Sequence, residues 1–373
     1  MTKLVYVFPE PLPLPRARGL QTVNTAVALA EIGVEVELIH AGSGTDPIAH
    51  YGLKKPSNLT LREISRALPW PLHRTHSNRL FFRRLASAIK LDAQPIYARH
   101  LKLAAMLVNS TSHSCLIYEA HEVFSDTADA GQKAKRFQEE RDVMRGAAAV
   151  VTNTAATARR LSELHGAPRH LEVIPNGVAY SDVPPGKDWE NLRREIIYSG
   201  SLFPWKGVAE LVAAASQLPP DLRIRVVGGQ GERLAQMQQS AGKGGAALEF
   251  HGQQPHAEVM RMLNAACIAV LPNRRDTDSE FTSPIKLFEY MAAGCAIVTS
   301  DLPSIREILG EDDALWCEPG DPASLARGIA KLAENPQLAR AMGARVREKA
   351  RQFTWLARAE KIRQLTQTLL KAA

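Results

Sequence analysis

The sequence predicts an α/β protein built from two doubly wound parallel-sheet domains, and three observations carry that prediction. Short apolar, β-branched runs alternate with amphipathic stretches of helical period through most of the 373 residues. The order strand, loop, helix, strand that opens the chain recurs from residue 195 onward. Between the two halves, residues 179–189 gather Pro184, Pro185 and Gly186, which stop a helix and mark a hinge. Chains of this length are comfortable as two domains, here expected at 1–180 and 190–355.

Composition narrows the class. Hydrophobic residues at 45% and charged residues at 23% supply enough apolar surface for two sizeable cores. Cys115, Cys267, Cys295 and Cys317 show no C-x-x-C or Cys/His spacing, so neither zinc nor a disulfide framework is expected. The first residues lack a signal-peptide core, and no run reaches the roughly 18 apolar residues of a membrane span. A cytoplasmic protein is expected, soluble or peripheral at the membrane's inner face. The net charge of +7 raises nucleic acid as a partner, yet no helix-turn-helix, zinc finger or RNP-like strand accompanies it. The charge is dense in 61–90, where Arg62, Arg66, Arg74, Arg79, Arg83, Arg84 and Lys90 interleave with Leu68, Trp70, Leu72, Phe81, Phe82 and Leu85. Two readings stay open: a segment lying on an anionic membrane surface, or a solvated helix beside a Pro-Trp-Pro loop.

In the first half, 4–8 reads as a buried strand, 9–15 as a proline-stiffened loop, and 22–32 as a helix closed by Gly33. A strand over 34–40 completes a βαβ unit. Strands follow at 94–99, 115–118 and 147–152, with helices at 101–109, 132–145 and 154–165. Because ligands of open α/β sheets gather at strand carboxyl ends, His121, just past the 115–118 strand, stands where chemistry is expected.

In the second half, the strand 195–200 runs into the loop 201–207 and a helix over 208–215, so Lys206 is expected to point outward from a strand end. A strand over 223–227 meets Gly228 and Gly229, whose missing side chains let a ligand approach the backbone. Further strands are expected at 248–252, 267–271 and 296–299, and helices at 258–265, 322–334, 336–353 and 356–370. The stretch 278–301 is a polar loop, a helix over 284–293 and a strand. Ser283 suits the N-cap, Pro284 the first helical position and Gly294 the stop. The first-turn amides, with Thr282 and Ser283, make an anion site, and Glu289 one turn on can accept hydrogen bonds from hydroxyls.

This stretch resembles the donor-site signature of the retaining glycosyltransferases of family 4, in which Glu, seven residues and a second Glu precede Ala-Met-Ala-Ala-Gly or a similar run. Glu289 takes the second place; the first falls on Phe281, with Glu280 one residue early. Tyr118-Glu-Ala-His121-Glu122 is similar to the family's Tyr-x-x-His-Glu, and 174–178 to its Ile-Pro-Asn-Gly-Val. The resemblance implies a GT-B fold: two Rossmann-like domains facing a cleft, acceptor in the first and nucleotide sugar in the second, with a terminal helix (356–373) crossing back to the N-terminal domain.

It further implies a retaining, metal-independent hexosyltransferase with no cofactor, taking a UDP- or GDP-sugar as donor and a glycan, lipid-linked or small-molecule acceptor, as in polysaccharide biosynthesis. His121, Lys206 and Glu289 become the catalytic candidates. Gly19, Ser201, Lys206, Gly228, Gly229, His251, Glu280, Thr282, Ser283, Pro284, Ile285 and Glu289 become the donor-binding set. An arginine that the family places several residues before its lysine is absent. Ser201 stands near its position, and Lys286, Arg274 and Arg275 are the cations that can substitute. A phosphorylase or epimerase of the same fold, and a non-catalytic nucleotide-sugar-binding protein, are the alternatives.

Overall fold

In the computed structural model, the described residues are 2–14, 17–68, 70, 75–89, 94–110, 115–183, 185–192, 194–242, 244–276 and 283–372. They form two units: residues 1–177 with 355–373, and residues 178–354.

The first unit grows from the apolar run 4–8, which becomes the middle of strand β1 (Lys3–Pro11). Strand character continues through Pro9 and Pro11, which were expected in a loop. Pairing with the neighbour slips between Phe8 and Pro11, so the prolines sit where the ladder is already irregular and their missing N–H groups cost little. With β2 (Glu35–Ala41), β3 (Leu59–Glu63), β4 (Ile96–Ala98), β5 (Leu116–Ala120), β6 (Ala149–Thr152) and β7 (Leu171–Val173), β1 forms a parallel sheet ordered β3-β2-β1-β4-β5-β6-β7. The order reverses at β1/β4, the switch point of a doubly wound sheet.

The longer helices of this unit are α1 (Ala17–Glu31), α2 (Asn78–Ala88), α3 (Leu101–Ser110), α4 (Ala130–Gly146) and α5 (Ala155–His165). Helix α1 begins five residues earlier than its periodicity suggests. Its first turn includes Gly19, where a Cβ would stand 2.6 Å from the Tyr51 hydroxyl and 2.8 Å from Leu14 Cβ. Tyr51 Oη in turn donates to the Leu14 carbonyl at 2.7 Å. One face of the sheet buries Val5, Val7, Ile39, Phe81, Leu85 and Leu107.

The second unit repeats the plan with β8 (Glu195–Ser199), β9 (Arg223–Val227), β10 (Ala247–Gly252), β11 (Ile268–Leu271), β12 (Ala296–Ser300) and β13 (Leu315–Cys317), all parallel, in the order β10-β9-β8-β11-β12-β13. Around it lie α6 (Val208–Ala215), α7 (Gly231–Ser240), α8 (His256–Ala265), α9 (Ile285–Ala292), α10 (Pro322–Glu334) and α11 (Pro336–Ala350). Part of the stretch expected as a hinge is held within this unit, since Arg347 donates to the carbonyls of Ser181 and Val183 and stacks 4.8 Å over the Tyr180 ring. Helix α12 (Trp355–Ala372) returns to the first unit and packs on α1, burying Ala359, Ile362, Thr366 and Leu369, one stripe at three- and four-residue spacing. No helix among the described residues is long and apolar enough to cross a membrane.

Candidate functional site

At the carboxyl ends of β8 and β9 the second unit brings its glycines together. Gly200 has φ +147° and donates to the Val227 carbonyl at 2.8 Å, while Gly228 has φ +120° and donates to Gly252 O at 2.7 Å. A Cβ on Gly228 would fall 2.1 Å from Gly200 O, and one on Gly229 2.3 Å from Leu202 Cδ1. The two strand ends are therefore locked to glycine by backbone approach, and they present main chain rather than side chains.

Lys286 occupies this space. A Cβ on Gly200 would lie 1.7 Å from its Nζ, which also stands 3.4 Å from Tyr198 Oη and 4.8 Å from that ring's centroid. Burial pushes its ammonium down to about 8, the neighbouring Glu289 charge opposing the shift. The arginines weighed beside it are turned elsewhere: Arg274 forms an ion pair with the buried Glu210, and Arg275 reaches the Asp301 carbonyl at 3.4 Å. Of the three cations, Lys286 is the one placed at the glycine-lined strand end.

Helix α9 starts at Ile285, with Pro284 as its cap residue in extended conformation (ψ 117°). The expected start at Pro284, with Ser283 as N-cap, is corrected by one residue: Pro284 itself is not yet helical, and Ser283, which is buried, precedes the cap. The helix still ends at Gly294, in the left-handed region at φ +64°. Ile285 and Lys286 stand in the first turn of this helix, so its N-terminal end and the positive pole of its dipole lie in the same neighbourhood as the lysine. Glu280 and Thr282 lie outside the described residues.

Glu289 is 8% exposed, and its Oε1 accepts from His256 Nε2 at 2.7 Å. That hydrogen bond raises the imidazole above its ordinary value, against the opposing effect of burial. His256 opens α8, which begins two residues before the expected 258, and no sequence signal pointed to it. Tyr290, the next residue, accepts the Ser199 N–H at 2.8 Å and so ties α9 under the end of β8.

Lys206 differs from its expected outward pose. It is 6% exposed, with its ammonium 3.5 Å over the Trp205 ring, because the short 3-10 turn 204–206 folds the lysine back along the indole. The loop is pinned by Gly207, at φ +70°, where any Cβ would strike the Pro272 carbonyl at 1.7 Å. Ser201 is exposed and its carbonyl accepts from Tyr198 Oη at 2.7 Å, while half-buried His251 sits 3.6 Å from Glu249.

His121 and Gly19 belong to the first unit. His121 follows β5, which runs two residues further than expected and so includes Glu119. Residues 119 and 121 share one face by strand alternation, and His121 Nε2 lies 3.0 Å from Glu119 Oε1. The other ring nitrogen receives Asn153 Nδ2 at 3.3 Å. Glu119 is wholly buried and also accepts from Gln21 at 2.8 Å and from Arg358 of α12. Burial alone would raise its carboxyl, but Arg358 and His121 hold it well below the usual range. Burial and the Arg99 charge push the His121 imidazole down to about 4, against the pull of Glu119, so the ring is neutral at pH 7. Gly19 serves the close packing against Leu14 and Tyr51 described above.

The model described as "Glycosyltransferase Family 4" matches residues 19–181, and that described as "Glycosyl transferases group 1" matches residues 185–349, so between them they take in both units. The chain belongs to the family 4, group 1 glycosyltransferases. Among curated relatives, a phosphatidyl-myo-inositol mannosyltransferase of Mycolicibacterium smegmatis is 31% identical over 190 residues, 49% of this chain and 48% of the relative. A D-inositol 3-phosphate glycosyltransferase of Acidothermus cellulolyticus is 25% identical over 55% of this chain and 50% of its own length. The chain thus spans about half the length of the curated relatives it matches. Among solved structures, a sucrose-phosphate synthase of Thermosynechococcus elongatus superposes with TM-score 0.78 at 18% identity over 100% of both chains. HepE of Anabaena, in complex with UDP-glucose, gives 0.75 at 17% identity, again over 100% of both. These likenesses establish the GT-B fold of this family 4 chain.

Proposed function

We propose that this family 4 chain is a glycosyltransferase that binds a nucleoside-diphosphate sugar, UDP- or GDP-linked, at the strand ends of its second unit and transfers the hexosyl group with retention. The observation that carries the reading is Lys286 held among Gly200, Tyr198 and the first turn of α9. It sets a positive charge against Gly200, the residue before Ser201, near whose position the family carries its arginine, and backbone lies beside it. The relatives' names and the UDP-glucose held by HepE support this donor class.

Departure of a nucleoside diphosphate loads negative charge onto its leaving oxygen. Lys286 and the α9 dipole would stabilise that charge without a metal ion, and Lys206 would join them only by leaving its place over Trp205. At an effective dielectric near 20, one ammonium about 4 Å from a phosphate charge contributes on the order of 4 kcal/mol before desolvation. Glu289, already an acceptor for His256, is placed to accept from ribose hydroxyls. Retention follows front-face attack, in which the leaving phosphate takes the acceptor's proton.

The acceptor side belongs to the first unit, and we propose a lipid-linked or glycan acceptor met at an anionic membrane surface. The basic segment is smaller than its sequence suggests: Phe81 and Leu85 are core residues, Arg62 pairs with Glu37 at 2.6 Å, and Arg84 donates to the Ser65 carbonyl at 2.7 Å. Arg79 and Arg83 remain exposed, and Trp70 is 84% exposed. Leu72, Arg74 and Lys90 lie outside the described residues. The direct test incubates the chain with a panel of UDP- and GDP-sugars and membrane-lipid or glycan acceptors, with and without a chelator, and reads products by mass spectrometry and anomeric NMR. Release of nucleoside diphosphate with an α-linked product from an α-donor, unaffected by chelator, is expected; no turnover of any donor would overturn the reading.

A further inference from the structure

In the first unit a buried ionic network lies apart from the donor-binding residues described above and reaches His121. Arg358 of α12 is 3% exposed, and its guanidinium donates to the carbonyls of Ile174 and Pro175 at 2.7 and 2.8 Å, to Thr25 Oγ1 at 3.3 Å and to Glu119. Glu119, itself inaccessible, is the carboxylate on which Arg358, Gln21 and His121 converge. A buried fork of this kind is a costly way to hold a helix in place, since apolar residues of the same volume serve as well. It also ends beside the residue that stands at the carboxyl end of β5.

We propose that Arg358 is a positioning residue for His121, acting through Glu119, so that the site at the end of β5 is complete only when α12 is docked. The geometry fixes the ring chemically as well as spatially. Glu119 accepts at Nε2, which must then carry the proton, and Nδ1 is left to accept from Asn153. The groups facing the imidazole are Glu119 on its own strand, Arg99 beyond β4, Arg358 on α12, and the neutral Gln21 of α1 and Asn153 beyond β6; Glu122 is the next residue in the chain. Glu119 favours a protonated ring, and the two arginines oppose it. Withdrawing Arg358 leaves Glu119 to claim a second proton for His121, turning a neutral ring with one tautomer into an imidazolium with two donors.

Histidine-labelled ¹⁵N NMR of the full chain across pH 3–8 reads this without any substrate. In the unaltered protein the His121 midpoint is expected near 4 with the Nε2–H pattern. Arg358→Met is expected to raise that midpoint by a unit or more, a gain of at least tenfold in proton affinity. A folded Arg358→Met protein with an unmoved His121 midpoint would overturn the proposal. If that variant does not fold, Glu119→Gln decides: Arg358 keeps its carbonyl and hydroxyl partners, and the ring is expected to lose its single-tautomer pattern. Retention of the wild-type pattern there would also overturn it. The link to turnover rests on the reading of His121 as a site residue and is measured apart from the NMR. Glu119→Gln is expected to lower kcat at least tenfold with donor KM within twofold. Unchanged kcat with altered His121 resonances would uphold the positioning role and sink that reading of His121 instead.

Discussion

The two units answer one architectural opportunity in opposite ways. At its strand ends the first unit packs polar and charged side chains against one another: Arg358, His121 and Gln21 converge on the buried Glu119. The second clears side chains away, using Gly200, Gly228 and Gly229 to expose main chain, and leaves Lys286 beside the opening without a carboxylate bonded to it among the described residues. A buried, side-chain-filled network holds a shape. An open, cationic one suits the anionic donor proposed above.

The comparison breaks if filling the second unit's opening does no harm. Gly200→Ala puts a methyl group 1.7 Å from Lys286 Nζ at a backbone φ of +147°. The positive φ strains any side chain there and should lower Tm, while the methyl displaces the Lys286 ammonium, a charged bond worth up to about 3 kcal/mol, so nucleoside-diphosphate affinity should fall by up to roughly 100-fold by calorimetry. An unaltered affinity would mean that the ligand sits elsewhere.

Next in size, Glu289→Ala removes a charged acceptor worth about 2 kcal/mol, roughly a 30-fold loss for UDP or GDP. Pyrophosphate, which has no ribose, should bind this variant as it binds the wild type. Equal losses for both would reassign Glu289 to holding α8 through His256.

The opening should also titrate. Lys286, lowered to about 8, is mostly charged at pH 7 and mostly neutral at pH 9, so affinity for a nucleoside diphosphate should weaken by up to about tenfold over that interval. A depressed lysine is disfavoured in its charged form by the fold, so the same titration relieves a folding penalty above pH 8. Stability and affinity should therefore move in opposite directions. Lys286→Met should bind more weakly at pH 7 and show a flat profile; a profile as steep as wild type would assign the titration to another group. The smallest effect concerns the first unit's exterior. Arg79→Glu with Arg83→Glu should reduce co-sedimentation with anionic liposomes by about 1 kcal/mol for each site, and the loss should vanish at high salt.

How far the sequence foretold these features depends on the distance over which their causes act. Most strand positions, the Gly294 stop and the lysine turn before α6 were legible because period, turn chemistry and glycine placement are local, whereas the short strands Leu59–Glu63, Leu171–Val173 and Leu315–Cys317 were not expected. The start of α9 was misplaced by one residue because proline satisfies both the cap and the first helical position. The proline-stiffened loop became strand because pairing with β2 outweighed local propensity. Arg358 was invisible since its partner Glu119 lies 239 residues away and nothing in either neighbourhood marks it as buried. Arg84 and Phe81 looked like an interface for a similar reason: helical spacing shows that a face is apolar, but not whether protein or membrane covers it.

Helix α12 carries a consequence for the order in which the chain is made. The first unit cannot finish until Trp355 and the residues after it have been synthesised, whereas the second is continuous from 178 to 354. At roughly 5–20 residues per second, the intervening stretch of about 180 residues delays completion on the order of 10 to 40 s. Through that interval the face of α1 that α12 covers is exposed, and Glu119 stands without its arginine. The unit encoded second is thus the first able to mature, and the ribosome holds the other half-built, a span in which a chaperone or a stray hydrophobic partner can reach it.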